Sequence, residues 1–354
     1  MDNNISILQN DAENRKKAYF AMCKVTLVLL FFAFSSRFVS DIVVDLLKEE
    51  NGSLQQVFVE IFSFFGIDRQ NSREAVKMLL SSTALHEVLS IIISFVTLVI
   101  PAIVFRRCTY IKDEECFELS GKTVKWIIPM FFLCQLVTSL VSAFSQSLYG
   151  FLAPGSAFAM EAASGVVSSE FDAYEFAVCV LCSCILVPIV EEFVFRGIIF
   201  TYLKRYGLCF AVVASASLFG VAHSFPTQTV YAFSFGVFSA FLCVVTGNIK
   251  TSLIFHGVNN LITVSAGYIM GSADEFVAGI FNAAFVMLVT SLGFAALYKM
   301  FAKGGYFDVF SEKAKENDGE INEKCGMKEI LVFPFAAYVV YYVLDVTLRV
   351  LVNI

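Results

Sequence analysis

Residues 174–202 read YEFAVCVLCSCILVPIVEEFVFRGIIFTY. The run is long and apolar enough to cross a ~30 Å hydrocarbon layer as a helix, yet Glu191, Glu192 and Arg196 lie inside it. A charge at that depth costs about 2.5–3.5 kcal/mol on insertion scales, so intramembrane charges face the protein interior and mark function. Glu192 and Arg196 stand four apart on one helix face, acid before base, and are expected to neutralise each other and lock the helix against its neighbours. Glu191 lies about 100° round the helix with no local partner. Desolvation strengthens a carboxylate's hold on a proton, which is what a general base toward water requires. The bland alternative is a structural ion-pair cluster in which Glu191 caps a helix junction.

Working outward, the 354-residue chain is 58% hydrophobic and 16% charged, with a mean hydropathy of +0.74. Soluble chains carry about 25% charged residues, so a cytosolic globule is excluded. Net charge −6 without a dense basic patch excludes nucleic acid as a partner. Nine apolar blocks qualify as spans, near 18–36, 84–105, 126–147, 174–202, 207–224, 228–247, 251–270, 276–298 and 329–351. With Arg15, Lys16 and Lys17 cytoplasmic, alternation also places Arg106, Arg107, Lys122, Lys125, Lys204, Arg205, Lys250 and Lys299 inside. The fold class is therefore all-α, a polytopic membrane helix bundle.

Residues 1–17 read as a polar cytoplasmic tail with no cleavable signal peptide. Residues 18–173 hold the first three spans and an amphipathic loop, 37–83, suited to the membrane surface. Residues 174–270 form the core, and 271–354 the C-terminal helices with a solvated linker at 303–328. Asp345 and Arg349 in the last block are spaced for an intrahelical pair. The cysteines sit mostly in apolar blocks as small hydrophobes, and the Cys179–Cys182 spacing lacks the second pair that a metal site needs.

Two further motifs follow the Glu pair. SLFGVAHSF sets Phe219 and His223 four apart on one face, and LIFHGVNNLI does the same for His256 and Asn260, with Asn259 turned aside. A Glu and a His can hold a water between them as it attacks a carbonyl, while a second His and an Asn donate to the oxyanion. Alternatively, Glu191, His223 and His256 match the ligand set of a catalytic zinc with an open position. Either route hydrolyses an amide in a cavity closed to lipid. Other protease chemistries fail on motif: HEVLS at 86–90 ends in Ser where HExxH needs its second His, and neither a GxGD nor a GxSxG string occurs.

Glu191-Glu192-Phe-Val-Phe-Arg196, Phe219-Gly-Val-Ala-His223 and His256-Gly-Val-Asn-Asn260 resemble the EExxxR, FxxxH and HxxxN motifs of the CAAX prenyl protease and bacteriocin-processing (CPBP, or Abi) intramembrane proteases. The resemblance covers roughly 174–270. It implies that Glu191 is the catalytic base, His223 its partner on the water or a metal, and His256 with Asn260 the oxyanion contacts. Glu192 and Arg196 would orient the site and Phe219 pack beside it. It implies a peptide or lipidated protein segment as substrate, and zinc as the cofactor to consider. The family core has eight spans, so the ninth block here is a C-terminal addition.

One tension is built into this layout. At about 1.5 Å per residue from the cytoplasmic charges, Glu191 lies about 20 Å deep, His223 about 24 Å and His256 only about 9 Å. Upright helices would keep them apart unless tilt or a bend at Pro188 intervenes. The expected protein is thus an intramembrane endopeptidase in the lipid bilayer, of a bacterial plasma membrane with a cytoplasmic N-terminus. A non-catalytic immunity or scaffold protein of the same fold is the alternative. A proton-relay transporter is disfavoured because neither inverted repeats nor interrupted helices are evident.

Overall fold

The computed structural model describes residues 13, 15–33, 35–36, 39, 53–66, 68–81, 83–112, 124–152, 173–223, 226–303, 305–320, 336, 339–340 and 343. Among these the regular elements are helices, and the molecule is an all-α bundle. We number them α1 (15–33), α2 (Ser53–Phe64), α3 (Arg69–Ser81), α4 (Thr83–Ser94, continued through Phe95–Val99 and Ile100–Cys108) and α5 (Val124–Leu152). Then come α6 (Ala173–Tyr206), α7 (Leu208–Val221), α8 (Pro226–Thr246), α9 (Ile249–Ser272), α10 (Glu275–Lys303) and α11 (Tyr306–Glu320).

Four helical stretches are long and apolar enough to cross a membrane: Glu87–Cys108, Ala173–Tyr206, Gln228–Thr246 and Phe276–Lys299. Ile127–Val141 and Leu208–Val221 are apolar but shorter. The ninth block, 329–351, lies outside the described residues except for four helical positions, and so does its Asp345–Arg349 pair. Part of the stretch read as a linker is α11, whose Phe310 stacks on Phe241 of α8 with ring centroids 5.1 Å apart. The amphipathic stretch 37–83 contributes α2 and α3.

α6 is the central rod. From Val194 to Leu203 every side chain is buried, against Leu218 and Phe219 of α7, Phe235 and Leu242 of α8, Phe255 of α9 and Met130 and Phe131 of α5. The rod is not uniform. Val180–Leu186 and Phe193–Phe200 are wide π-helical turns that bracket the short α-helical piece Val187–Glu192. π-turns cluster at functional sites, and these two flank Pro188 and both glutamates.

Missing side chains let the helices approach closely, as small residues do inside membranes. A Cβ on Gly220 would stand 2.8 Å from the Thr229 carbonyl of α8, and one on Gly257 would stand 2.7 Å from the Cys184 carbonyl of α6. The second contact joins the helix of His256 to the helix of the glutamates.

The depth conflict resolves at the α8–α9 turn. Gly247 takes a left-handed φ of +67°, which favours glycine, and the fully buried Asn248 caps α9 by accepting from the Lys250 amide. This turn is level with Gly197: a Cβ there would be 3.6 Å from Ile249 Cδ1. Nine residues of α6 lie beyond that level, about 13 Å at the α-helical rise. The hairpin is recessed, so counting depth from Lys250 placed His256 too shallow. α11 covers the same end, where Asn317 Nδ2 donates to the Lys204 carbonyl at 3.2 Å.

Candidate active site

Adjacent on one helix, the two glutamates have opposite surroundings. The Glu192 side chain is 0% exposed and that of Glu191 is 23% exposed. Glu192 Oε2 lies 3.3 Å from Arg196 Nε, as the spacing predicts. The same oxygen accepts from Ser239 Oγ of α8 at 2.9 Å and from Ser252 Oγ of α9. Its other oxygen, Oε1, faces His256 Nδ1 at 2.9 Å. Glu192 therefore ties α6 to both arms of the recessed hairpin and sets the imidazole of His256.

Arg196 completes this buried layer. Its Nη2 donates to the Gly236 carbonyl at 3.2 Å, and its guanidinium lies 4.5 Å from the Phe219 ring centre, a cation–π contact. Gly236 leaves the room: a Cβ there would stand 3.3 Å from Arg196 Nη2 and 3.1 Å from Ala216 Cα. Phe219 is wedged between the two histidines, its ring centre 4.7 Å from that of His223 and 6.1 Å from that of His256. Beside being a packing residue, it keeps the imidazoles apart.

Glu191, His223, His256 and Asn260 all line one cavity of about 440 Å³, with Phe219, Gln135, Gln228, Tyr231 and Asn259 among its other walls. Glu191 Oε2 is buried, accepts no hydrogen bond from any described residue, and stands 3.8 Å from His256 Nε2. That gap is too long for a direct hydrogen bond. His223 Nδ1 contacts the Phe219 carbonyl at 2.8 Å. A carbonyl or carboxylate oxygen only accepts, so Nδ1 of both histidines is the donor in these contacts, leaving Nε2 as the other polar atom of each ring.

Three polar residues of this cavity that lie outside the motif positions form one hydrogen-bonded group: Asn259, Gln135 and Tyr231. Asn259, set aside on the helical wheel, is buried, and its Oδ1 accepts from Tyr231 Oη at 2.7 Å and Gln135 Nε2 at 2.5 Å. Its Nδ2 donates to Asn260 Oδ1 at 3.3 Å, and Asn260 Nδ2 donates to the Ser183 carbonyl at 2.7 Å. Ser183 Oγ in turn donates to Glu87 Oε2 at 3.0 Å. A chain of amides thus holds Asn260 from both sides. Gln135 and Tyr231 carry no local signal in the sequence. Ser252 does: it lies four residues before His256, on the face that carries Asn260.

Two imidazole lone pairs and a carboxylate suit zinc chemically. As placed they do not form a ligand set: among the described residues no group of three or more His, Cys, Asp or Glu stands close enough to share an ion. The cysteines described are unpaired, and Cys134, Cys179, Cys182, Cys184 and Cys243 are buried, as small hydrophobes are.

No curated protein and no solved structure matches the chain. Residues 173–262 match the family model described as Type II CAAX prenyl endopeptidase Rce1-like, a protease family. That segment holds all three motifs and every residue from Glu191 to Asn260 that they name, and the match is consistent with the CPBP family of membrane proteases.

Proposed function

We propose that the protein is an intramembrane endopeptidase that cleaves a peptide or lipidated protein segment with a water activated by Glu191. The observation that carries this reading is the orphaned Glu191 carboxylate oxygen, buried in a cavity wall 3.8 Å from His256 Nε2. A water about 2.8 Å from both atoms closes a triangle over that gap with ordinary hydrogen-bond lengths. It gives one proton toward Glu191 and its other to the lone pair of His256. Its oxygen is left to attack a carbonyl carbon in the cavity.

The oxyanion needs a donor. The Nδ1 protons of His223 and His256 are committed to the Phe219 carbonyl and to Glu192, so the donor we assign in this wall is the second Nδ2 hydrogen of Asn260, which is held by Asn259 and Ser183. His223, on the wall it shares with Glu191, is placed to receive the proton from Glu191 and deliver it to the departing amine. Glu192 and Arg196 orient His256 without touching substrate.

The test is cleavage in liposomes or detergent by wild type, Glu191→Gln, Glu191→Ala and His223→Ala. Loss of a general acid or base lowers turnover by about 10²–10⁴-fold, and each variant is expected in that range with unchanged expression and thermal stability. Variants that cut as well as wild type would end the hydrolase reading. A protein whose biological effect survives Glu191→Gln is a scaffold or immunity protein instead.

A further inference from the structure

The catalytic wall has two sides. Behind Glu191 and His223, a second and smaller chamber of about 200 Å³ opens between α1, α4, α6 and α7. Glu191, Val187 and His223 line both spaces, so the two meet at the proposed reacting atoms.

The chambers differ in chemistry. Both have apolar walls, Phe219, Ala232 and Phe235 in the larger one, but the larger one adds the amides of Gln135, Gln228, Asn259 and Asn260 and the hydroxyls of Tyr231 and Thr263. The smaller one is walled by Phe32, Ile91, Leu98, Val190, Phe195 and Ala222, with the hydroxyls of Ser90 and Ser94 at one helical turn's spacing on α4. Its size also discriminates. A 150 Å³ apolar cavity holds a benzene, so about 200 Å³ accepts one Leu, Met or Phe side chain and excludes a bulkier group.

We propose that the smaller chamber is a specificity pocket that takes one unmodified large apolar side chain, next to the bond being cut. The amide-rich chamber holds the polar stretch on the other side of the cut. This rests on the protease reading and adds to it the substrate's local chemistry. A peptide bond lying across Glu191 has one flanking residue on the apolar side and the other on the polar side, so the polarity of the two chambers also fixes the direction in which the chain lies.

The experiment uses the full-length protein in detergent and a heptapeptide set, Lys-Ser-Ser-Xaa-Ser-Ser-Lys, with Gly, Ala, Val, Leu or Phe as Xaa. Cleavage is read by mass spectrometry and binding by displacement of a fluorescent Leu peptide. Ser94→Phe fills the chamber, and Ile91→Ala enlarges it; neither residue belongs to the catalytic wall. Burial of a Leu or Phe side chain favours the Leu and Phe peptides over the Ala peptide by about tenfold or more in wild type. Ser94→Phe is expected to abolish that preference, the Leu-to-Ala and Phe-to-Ala ratios falling from about tenfold to about one. Ile91→Ala shifts the preference from Leu toward Phe.

Graded binding without cleavage keeps the pocket and removes the protease reading. Cleavage with a flat preference, or a Ser94→Phe variant that weakens every peptide alike, overturns the pocket and leaves the protease reading standing. A lipid chain filling the chamber would produce that flat preference. Neither binding nor cleavage of any peptide overturns both.

Discussion

Glu192 is the point on which α6, α8 and α9 converge, through Arg196, Ser239, Ser252 and His256. Glu192→Gln leaves a buried guanidinium without a counter-charge and is expected to destabilise the protein by about 3–5 kcal/mol, measured by thermal or denaturant unfolding in detergent. Glu192→Leu with Arg196→Met removes both charges and restores most of that loss. It still leaves His256 without its acceptor, so turnover stays down by about 10²-fold, the cost of misplacing a catalytic group. A second expectation concerns Asn259. Asn259→Ala takes from Gln135 and Tyr231 the acceptor they share in the cavity wall, a loss of about 1–3 kcal/mol in the same unfolding measurement. Because it also frees Asn260, it lowers kcat per folded molecule, whereas a purely structural loss would lower the folded fraction and leave kcat per folded molecule alone. The Glu192–Arg196 contact was legible because a helix brings i and i+4 together. The grip of Gln135 and Tyr231 on Asn259 was not, since residues 124 and 28 positions away, on other helices, leave no periodic trace of their contact.

At the scale of elements, Gly257 decides how near α9 comes to α6. Gly257→Ala puts a methyl 2.7 Å from the Cys184 carbonyl, closer than real Cβ atoms come, so the helices must separate. A displacement of about 1 Å at a reacting centre can cost about 10²-fold in rate. The expected result is a protein that folds, by thermal unfolding, yet performs the proposed cleavage about two orders of magnitude more slowly. Helix positions were readable from the apolar runs, because burial in lipid writes them as blocks of fixed length. The depth of His256 was not, because a recessed turn and a surface turn have the same composition. The π-turns were equally hidden: Val180–Leu186 and Phe193–Phe200 look like ordinary apolar helix.

Across the whole molecule, α11 closes the end that the recessed hairpin leaves open. Phe310→Asp places a charge against the Phe241 ring and is expected to cost about 1–3 kcal/mol, the range for a polar group buried without a partner. Falling thermal stability in detergent checks it. The sequence marked this region as charged and glycine-containing, which hid a helix whose Phe307 and Phe310 both reach the Phe241 ring. The membrane character of the bundle was fully legible in composition. The number of crossings was read differently: nine blocks were expected, and four helices among the described residues meet the length and hydropathy for a span.

The wide turn Val180–Leu186 amounts to an inserted residue in the rod that ends at the glutamates. Five residues in such a turn sweep about the angle that four sweep in an α-helix, so the extra residue is absorbed and the glutamates keep their aim. A substitution that tightened the ladder to regular α-helix without removing a residue would swing everything downstream by about 100°. The rod would still be apolar and still helical, but its acid would be aimed away from the two imidazoles. Such a variant would be well made and silent, so this site is constrained by counting as much as by chemistry.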